Sequence, residues 1–248
     1  MTAETVDDLL TRELRDDRTA LVDATGREFD NHWLCTTSWK AGNFLRHAGV
    51  RTDVTVGIVG EGPLPLLAFF GTTLLEGTTR FEPPMDLAEA EDFRALVAPV
   101  ATLESDEYTL PRGAQRVGYG QKPDEPDIHH FDAGVWSENP AFPPLDVDLE
   151  TVLLTDGERN VSHGDALEAA SEIVEAHGLE AGDRVVVRDS LADPRAVIAG
   201  VLAPMLADGV IVLTGDEDET TVERGEYGLS SESVPEANRI ELRDVSLE

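Results

Sequence analysis

The chain repeats itself. A helical pattern from Trp39 to His47 stops at Gly49 and is followed by a strand-like run from Asp53 to Val59. A second helical pattern from Leu64 to Leu75, a turn at Glu76-Gly77 and a strand through Phe81 complete the unit. The same order returns with a helix from Asp165 to His177, a stop at Gly178, and a strand from Asp183 to Arg188. It closes with a helix from Arg195 to Leu206, a turn at Asp208-Gly209 and a strand from Val210 to Leu213. Gly49 and Gly178 lie 129 residues apart, and Gly77 and Gly209 lie 132 apart, so the copies run nearly in step. The strands are continuous and β-branched, as strands covered on both faces are. The first helix of each copy ends at glycine, which reaches the left-handed conformation that closes a helix. Leu66, Leu67, Phe70 and Leu74 keep helical spacing, as do Val197, Val201, Leu202 and Met205. Parallel strands joined through a helix cross over right-handed, so each copy is expected to be a βαβ element. Two of them predict an α/β protein with two subdomains, or two halves about a pseudo-twofold axis.

The expected organisation is a first α/β unit over residues 1–103, a connector over 104–150, a second α/β unit over 151–214 and an acidic tail over 215–248. Phe93 to Leu103 reads as a short helix and strand. Beyond Tyr108, Pro123, Pro126, Pro140, Pro143 and Pro144 exclude long regular elements and predict a largely extended connector. The tail is expected to hold one β-like stretch near Arg239 to Leu242.

Charge bounds the partners. The 248 residues carry 19 Lys+Arg against 50 Asp+Glu, a formal net charge of −31, with 41% hydrophobic residues. The apolar fraction separates the chain from acidic disordered proteins. Nucleic acid is excluded as a partner because phosphates require a basic surface, and anionic lipid is excluded for the same reason. The acid is spread along the whole chain, and Lys40 and Lys122 are the only lysines. Self-repulsion opposes compaction until salt screens it, so a cytoplasmic protein of a salt-loving organism is expected. Its thermal midpoint should then rise from low to molar KCl; a level midpoint would remove the halophilic reading. Met1 to Thr5 leads straight into acidic residues without a basic, apolar leader, and the longest apolar runs are too short to span a bilayer. A soluble intracellular chain is expected.

Most motif candidates have a structural reading. The single cysteine, Cys35, excludes an intramolecular disulfide and a Cys-rich zinc site, and reads as a small buried residue. Gly60-Glu61-Gly62-Pro63-Leu64-Pro65 occupies the place of a dinucleotide fingerprint but has Pro65 at its third glycine, so a tight strand-to-helix turn is expected. No GxxxxGK[ST] run exists, which excludes a P-loop nucleotidase. Ser162 and Asp165 form a capping box rather than part of a nucleophile elbow. His129-His130 are expected in a loop, without a metal. Trp33, Trp39 and Phe44 are assigned to the core of the first unit.

Thr19-Ala20-Leu21-Val22-Asp23-Ala24-Thr25-Gly26, followed by Phe29, Leu34 and the helix to Gly49-Val50, resembles the opening of AMP-forming acyl-CoA synthetases and related adenylating enzymes. Asp53 to Val59 and the helix ending at Glu76-Gly77 continue the likeness. Val152-Leu153-Leu154-Thr155-Asp156-Gly157 through Ser162-His163 sits where that family places its phosphate-binding loop, and Gly182-Asp183-Arg184 to Leu213 matches the family's strand and helix after that loop. The likeness, from about residue 5 to 213, implies two helix-strand-helix-strand units like the N-terminal subdomains of adenylate-forming synthetases. It makes Thr155, Asp156 and Gly157 the positional remnant of a nucleotide-binding loop.

The loop departs from the family in its chemistry. The family's Ser/Thr/Gly-rich run ending in Pro-Lys-Gly is replaced by Thr155-Asp156-Gly157-Glu158-Arg159-Asn160, without the lysine. Holding a triphosphate takes backbone N–H groups and a cation, whereas Asp156 and Glu158 add negative charge. The likeness also stops before the parts of the family that carry its adenine-contacting aromatic, ribose-binding aspartate and catalytic lysine. Thr214-Gly215-Asp216 imitates a later Thr-Gly-Asp motif but comes directly after the second unit, so it reads as coincidence. The expectation is a truncated, non-catalytic homologue with no catalytic residue, cofactor or metal, binding a small acyl ligand or a protein partner. Two alternatives stand: a residual AMP-forming ligase using ATP and magnesium, completed by another chain, and a homodimerising module built on exposed sheet edges.

Overall fold

The computed structural model describes residues 3–143, 145–215 and 224–247; Met1, Thr2, Pro144 and Asp216 lie outside the described residues. Two 3-10 turns, Val6–Leu10 and Arg12–Leu14, precede a hairpin of strands β1 (Thr19–Val22) and β2 (Glu28–Asp30). Helix α1 (Asn31–His47) starts at once, because the Asp30 carboxylate accepts the Trp33 N–H at 2.6 Å and caps it. It begins well before Trp39, where the apolar period becomes legible; the polar Asn31, His32, Thr36 and Thr37 dilute the pattern in its first turns. Next come β3 (Thr55–Ile58), α2 (Pro63–Thr73), β4 (Thr78–Phe81), β5 (Phe93–Pro99) and α3 (Val100–Glu104).

The second copy mirrors the first. A hairpin of β8 (Val152–Thr155) and β9 (Asn160–Ser162) runs into α5 (His163–His177). The capping box is formed: Ser162 Oγ accepts the Asp165 N–H at 3.1 Å. Gly178 ends α5 at φ +66°. Strand β10 (Arg184–Val187) leads to three consecutive helical stretches, α6 (Pro194–Val197), a π-helical segment (Ile198–Leu202) and α7 (Ala203–Leu206), and then to β11 (Val210–Leu213). The two helix caps, Asp30 and Ser162, stand 132 residues apart, so the repeat also includes the preceding hairpins.

The stretch expected to be an extended connector supplies β6 (Gln115–Tyr119), β7 (Ile128–His130) and α4 (Phe131–Ser137) between α3 and β8. Its prolines limit element length without preventing pairing. His129 and His130 therefore lie on an edge strand rather than in a loop, and His129 Nε2 is 3.0 Å from Gln115 Oε1. The tail contributes β12 (Tyr227–Leu229) and β13 (Asn238–Ile240).

The strands form a seven-stranded sheet, β7-β6-β5-β3-β4-β8-β9, and a six-stranded sheet, β13-β12-β10-β11-β1-β2, parallel except at β8-β9 and β1-β2. In each copy the two βαβ strands pair directly, Thr55 to Thr78 through Ile58 to Phe81 and Arg184 to Val210 through Val187 to Leu213. The hairpins are exchanged. β1 pairs with β11 of the second copy, and β8 pairs with β4 of the first. Each sheet therefore takes strands from both 1–103 and 151–214.

Helix α2 buries Leu66, Leu67, Phe69 and Phe70 completely, and each such side chain contributes roughly 1.5–3 kcal/mol of transfer free energy. It crosses α1 at Gly71, where an added Cβ would lie 2.8 Å from the backbone of Ala41 and Gly42. Trp39 is buried with its Nε1–H donating to the Leu10 carbonyl at 2.9 Å. Trp33 packs on Phe29, and Phe44 meets Phe131 edge-on. Cys35 is buried, and burial pushes its thiol up to about 11, which leaves it a packing residue. Among the described residues no helix is long and apolar enough to cross a membrane.

Candidate functional site

Both sheets aim the C-terminal ends of parallel strands at a shared cleft of about 670 Å³. One wall comes from Val59 to Gly62 after β3, Phe81 and Glu82 at the end of β4, Pro99 and Thr102, and Tyr119 at the end of β6. The other comes from Ala24 beyond β1, Ser190 to Ala192 beyond β10, and Thr214 and Gly215 beyond β11. Crevices outside the carboxyl ends of such strands are where open α/β sheets bind ligands, and the volume suits a small molecule.

Cross-links fix the seven-stranded wall. The Tyr119 hydroxyl donates to the Val59 carbonyl at 2.8 Å. The Glu82 carboxylate accepts the Gly60 N–H at 2.6 Å, with Glu82 itself at φ +44°. Gly60, at φ +92°, is required here because a Cβ would strike the Tyr119 hydroxyl. Burial, followed by the charges of Glu82 and Glu61, holds the Tyr119 phenol well above its ordinary range, so it remains a neutral donor. Among the described residues, Glu61 and Glu82 are the only charged ones that line the cleft.

Two places could hold phosphate, one at the cleft and one on the β8–β9 loop outside it, and each is chemically altered. Helix α2 starts from Gly62 at φ +105° and aims its N-terminus at the cleft, but Pro63 and Pro65 remove two of its first N–H groups. The expected tight strand-to-helix turn stands there. The β8–β9 loop lies by the start of α6, with Asp156 in electrostatic reach of Arg195, and its residues do not line the cleft.

That loop consumes its own amides. Asp156 N–H donates to the Arg159 carbonyl at 3.3 Å and Gly157 N–H to Thr155 Oγ1 at 3.1 Å. Glu158 and Arg159 N–H both donate to Asp156 Oδ1, at 2.8 and 2.7 Å. The Arg159 guanidinium closes on Asp156 Oδ2 at 2.8 Å, and Arg80 donates to the Asp156 carbonyl at 3.1 Å. Burial raises the Asp156 pKa, but these backbone and guanidinium bonds outweigh it and hold the carboxyl below its usual value. Gly157 is at φ +93°, and a Cβ there would collide with Arg80.

Solved structures share this architecture. An anthranilate CoA ligase in complex with anthranoyl-AMP aligns with a TM-score of 0.75 at 17% identity, over 93% of this chain and 50% of that one. The N-terminal domain of FACL13 from Mycobacterium tuberculosis aligns with a TM-score of 0.75 at 12% identity, over 92% of this chain and 63% of that one. This is the N-terminal domain fold of the adenylate-forming acyl-CoA ligases. A benzoate CoA ligase from Burkholderia xenovorans LB400 agrees, with a TM-score of 0.73 at 15% identity over 90% of this chain and 49% of that one. The chain spans about half the length of the full ligases it matches. No family model matches the sequence, and no curated protein matches it.

An acyl-CoA ligase fold implies ATP and magnesium, and the loop's amides do not fit the phosphates. The loop offers no N–H from Asp156 to Arg159 that its own side chains and backbone have not taken. The cleft offers carboxylates where a triphosphate needs cations. Thr155, Asp156 and Gly157, the loop residues singled out from the sequence, lie together on the β8–β9 turn. Thr214 donates to the Val187 carbonyl at 2.7 Å and lines the cleft with Gly215. Glu82 and Tyr119 escape sequence reasoning, since Glu82 is one acid among many and Tyr119 lies in the stretch read as connector.

Proposed function

We propose that this chain is an acyl-CoA synthetase-like protein that does not adenylate a carboxylate, and that the cleft between its sheets holds a small acyl-type ligand. One observation carries the reading: every backbone N–H from Asp156 to Arg159 already has an acceptor within the loop. Adenylation places preorganised donors where charge develops on the phosphates, and here those donors would first have to abandon Asp156 and Thr155. A cytoplasmic setting in concentrated salt belongs to the same proposal, supported by the net charge of −31 and the scarcity of lysine.

The test is carboxylate-dependent ATP–pyrophosphate exchange in molar KCl, across aryl and alkyl acids, with and without cell extract. No exchange is expected in either case. Exchange above the enzyme-free background would overturn the non-catalytic reading and favour a ligase completed by another chain. A thermal-shift screen on the same protein checks the cleft, because a ligand that binds only the folded state raises the midpoint.

A further inference from the structure

Trp136, in α4, is 80% exposed, more than any other large apolar side chain among the described residues. The Lys40 ammonium lies 5.6 Å from its ring centroid, and Lys40 Nζ donates to the Trp136 carbonyl at 3.4 Å. Further along α1 the Arg46 guanidinium lies 4.7 Å from the centroid of Phe142. Neither Lys40 nor Arg46 forms an ion pair among the described residues; Glu138, which follows α4, is 3.6 Å from His47 instead. The mount is rigid. Asn43 Nδ2 donates to the Asn139 and Ala141 carbonyls, each at 3.0 Å, and an added Cβ at Gly134 would strike Phe44. Helix α4 is thereby locked to α1, and Trp136 is presented with little ordering left to do on binding. Tryptophan and arginine are the residues that most often anchor protein interfaces.

A receptor of opposite character lies on the same molecule. The N-terminal turns, α5 and α7 enclose a groove of about 850 Å³, room for a drug-sized ring system. Leu9, Leu14, Leu167, Val174 and Met205 line it, and Leu14 is 36% exposed. Glu4 and Glu13 line it too and form no ion pair among the described residues. The other two acids there are engaged: Asp208 pairs with Arg18, and Asp8 accepts the Glu4 and Thr5 N–H groups. Arg12 and Arg15, from the same turns, lie over Trp39 and not in the groove. The groove is thus apolar with negative charge at its rim, and the tryptophan is apolar with positive charge at its flanks. None of these residues lines the cleft between the sheets.

We infer that the protein binds a second copy of itself head to tail, Trp136 of one protomer entering the groove of its partner, with Lys40 and Arg46 set against Glu4 and Glu13 there. Two different surfaces meet, so the contact is heterologous. Apolar burial supplies the affinity, since a tryptophan side chain buries roughly 150–250 Å². The four charges supply orientation more than strength. At low salt two chains of net charge −31 repel each other. Molar salt screens that repulsion and leaves the apolar contact in place, so association strengthens with KCl.

The experiment is sedimentation velocity of the full chain, from micromolar to tenth-millimolar protein, at low and at molar KCl. Trp136→Ala removes the knob and Leu14→Asp puts a charge into the groove. Both side chains are exposed, so both variants keep the fold, which circular dichroism checks. The unaltered protein is expected to associate in molar KCl, and each variant to associate roughly thirtyfold more weakly, the usual weight of an anchoring residue. An equimolar mixture of the two variants is expected to recover a dimer and to stop there, because the groove left in Trp136→Ala accepts the tryptophan left in Leu14→Asp. An unaltered protein that stays monomeric would overturn the inference and leave the groove to a foreign protein or a small apolar ligand. Association that survives either substitution would place the interface on another face and overturn it as well. A mixture that stays monomeric would separate the tryptophan from the groove, with the same consequence.

Discussion

Glu236→Ala is expected to lower unfolding free energy by about 3–5 kcal/mol, the usual consequence of removing one partner from a buried ion pair. Glu236 lies between β12 and β13 with a fully buried side chain, and the Arg188 side chain beside it is 8% exposed. The contact is bidentate, Arg188 Nε to Oε2 at 3.0 Å and Nη2 to Oε1 at 2.5 Å, and Oε1 also accepts the Arg224 N–H at 3.3 Å. Gly228 makes room for the carboxylate, since a Cβ would lie 2.5 Å from Oε2. Arg188 directly follows β10, so this pair fastens the last two strands to the sheet. Denaturant unfolding at neutral pH in molar KCl measures the effect, and an unchanged slope shows that the unfolded reference has not moved. A loss below about 1 kcal/mol would place the pair among ordinary surface contacts.

Acid is the second strong lever, through His163. The ring is fully buried at the start of α5; its Nδ1 accepts the Val6 N–H at 3.2 Å, so the proton of the neutral ring sits on Nε2. Burial lowers its pKa from 6.5 to about 4. The unfolded chain therefore takes up the proton first as pH falls. The stabilisation is complete above pH 6.5, shrinks between 6.5 and about 4, and levels off below. It amounts to roughly 1.4 kcal/mol per pH unit across that window, about 3 kcal/mol in all. His163→Asn can keep an acceptor for Val6 N–H without titrating. The stability difference between the native protein and this variant should thus shrink on acidification from pH 7 to pH 4. A difference independent of pH would show that the folded ring protonates as readily as the unfolded one.

How far the sequence reached can be traced residue by residue. The glycine stops at Gly49 and Gly178, the Ser162 cap and the β-branched runs are local signals, because backbone dihedrals and burial leave periodic or positional marks. Asp30 carries the same capping signal as Ser162, but the polar first turns of α1 hid where that helix begins. β6 and β7 were illegible because strands of five and three residues among prolines have little room to show alternation. The loop chemistry was half legible. Losing the lysine and gaining Asp156 could be read directly, whereas the use of Asp156 to consume the amides of Glu158 and Arg159 required the folded turn.

By itself the sequence determined a twofold repeat of helix–strand–helix–strand, its caps, its buried parallel strands and an acid-dominated surface. Each of these depends on neighbours within one or two turns of the chain. Only the tertiary structure decided that the hairpins are exchanged, with β1 beside β11 and β8 beside β4. Only it brought Glu61, Glu82 and Tyr119 to one cleft with Ser190 and Thr214. Which strand takes which partner, and which carboxylate faces which cavity, is settled by contacts between residues far apart in the chain, and such contacts leave no period in the sequence to read.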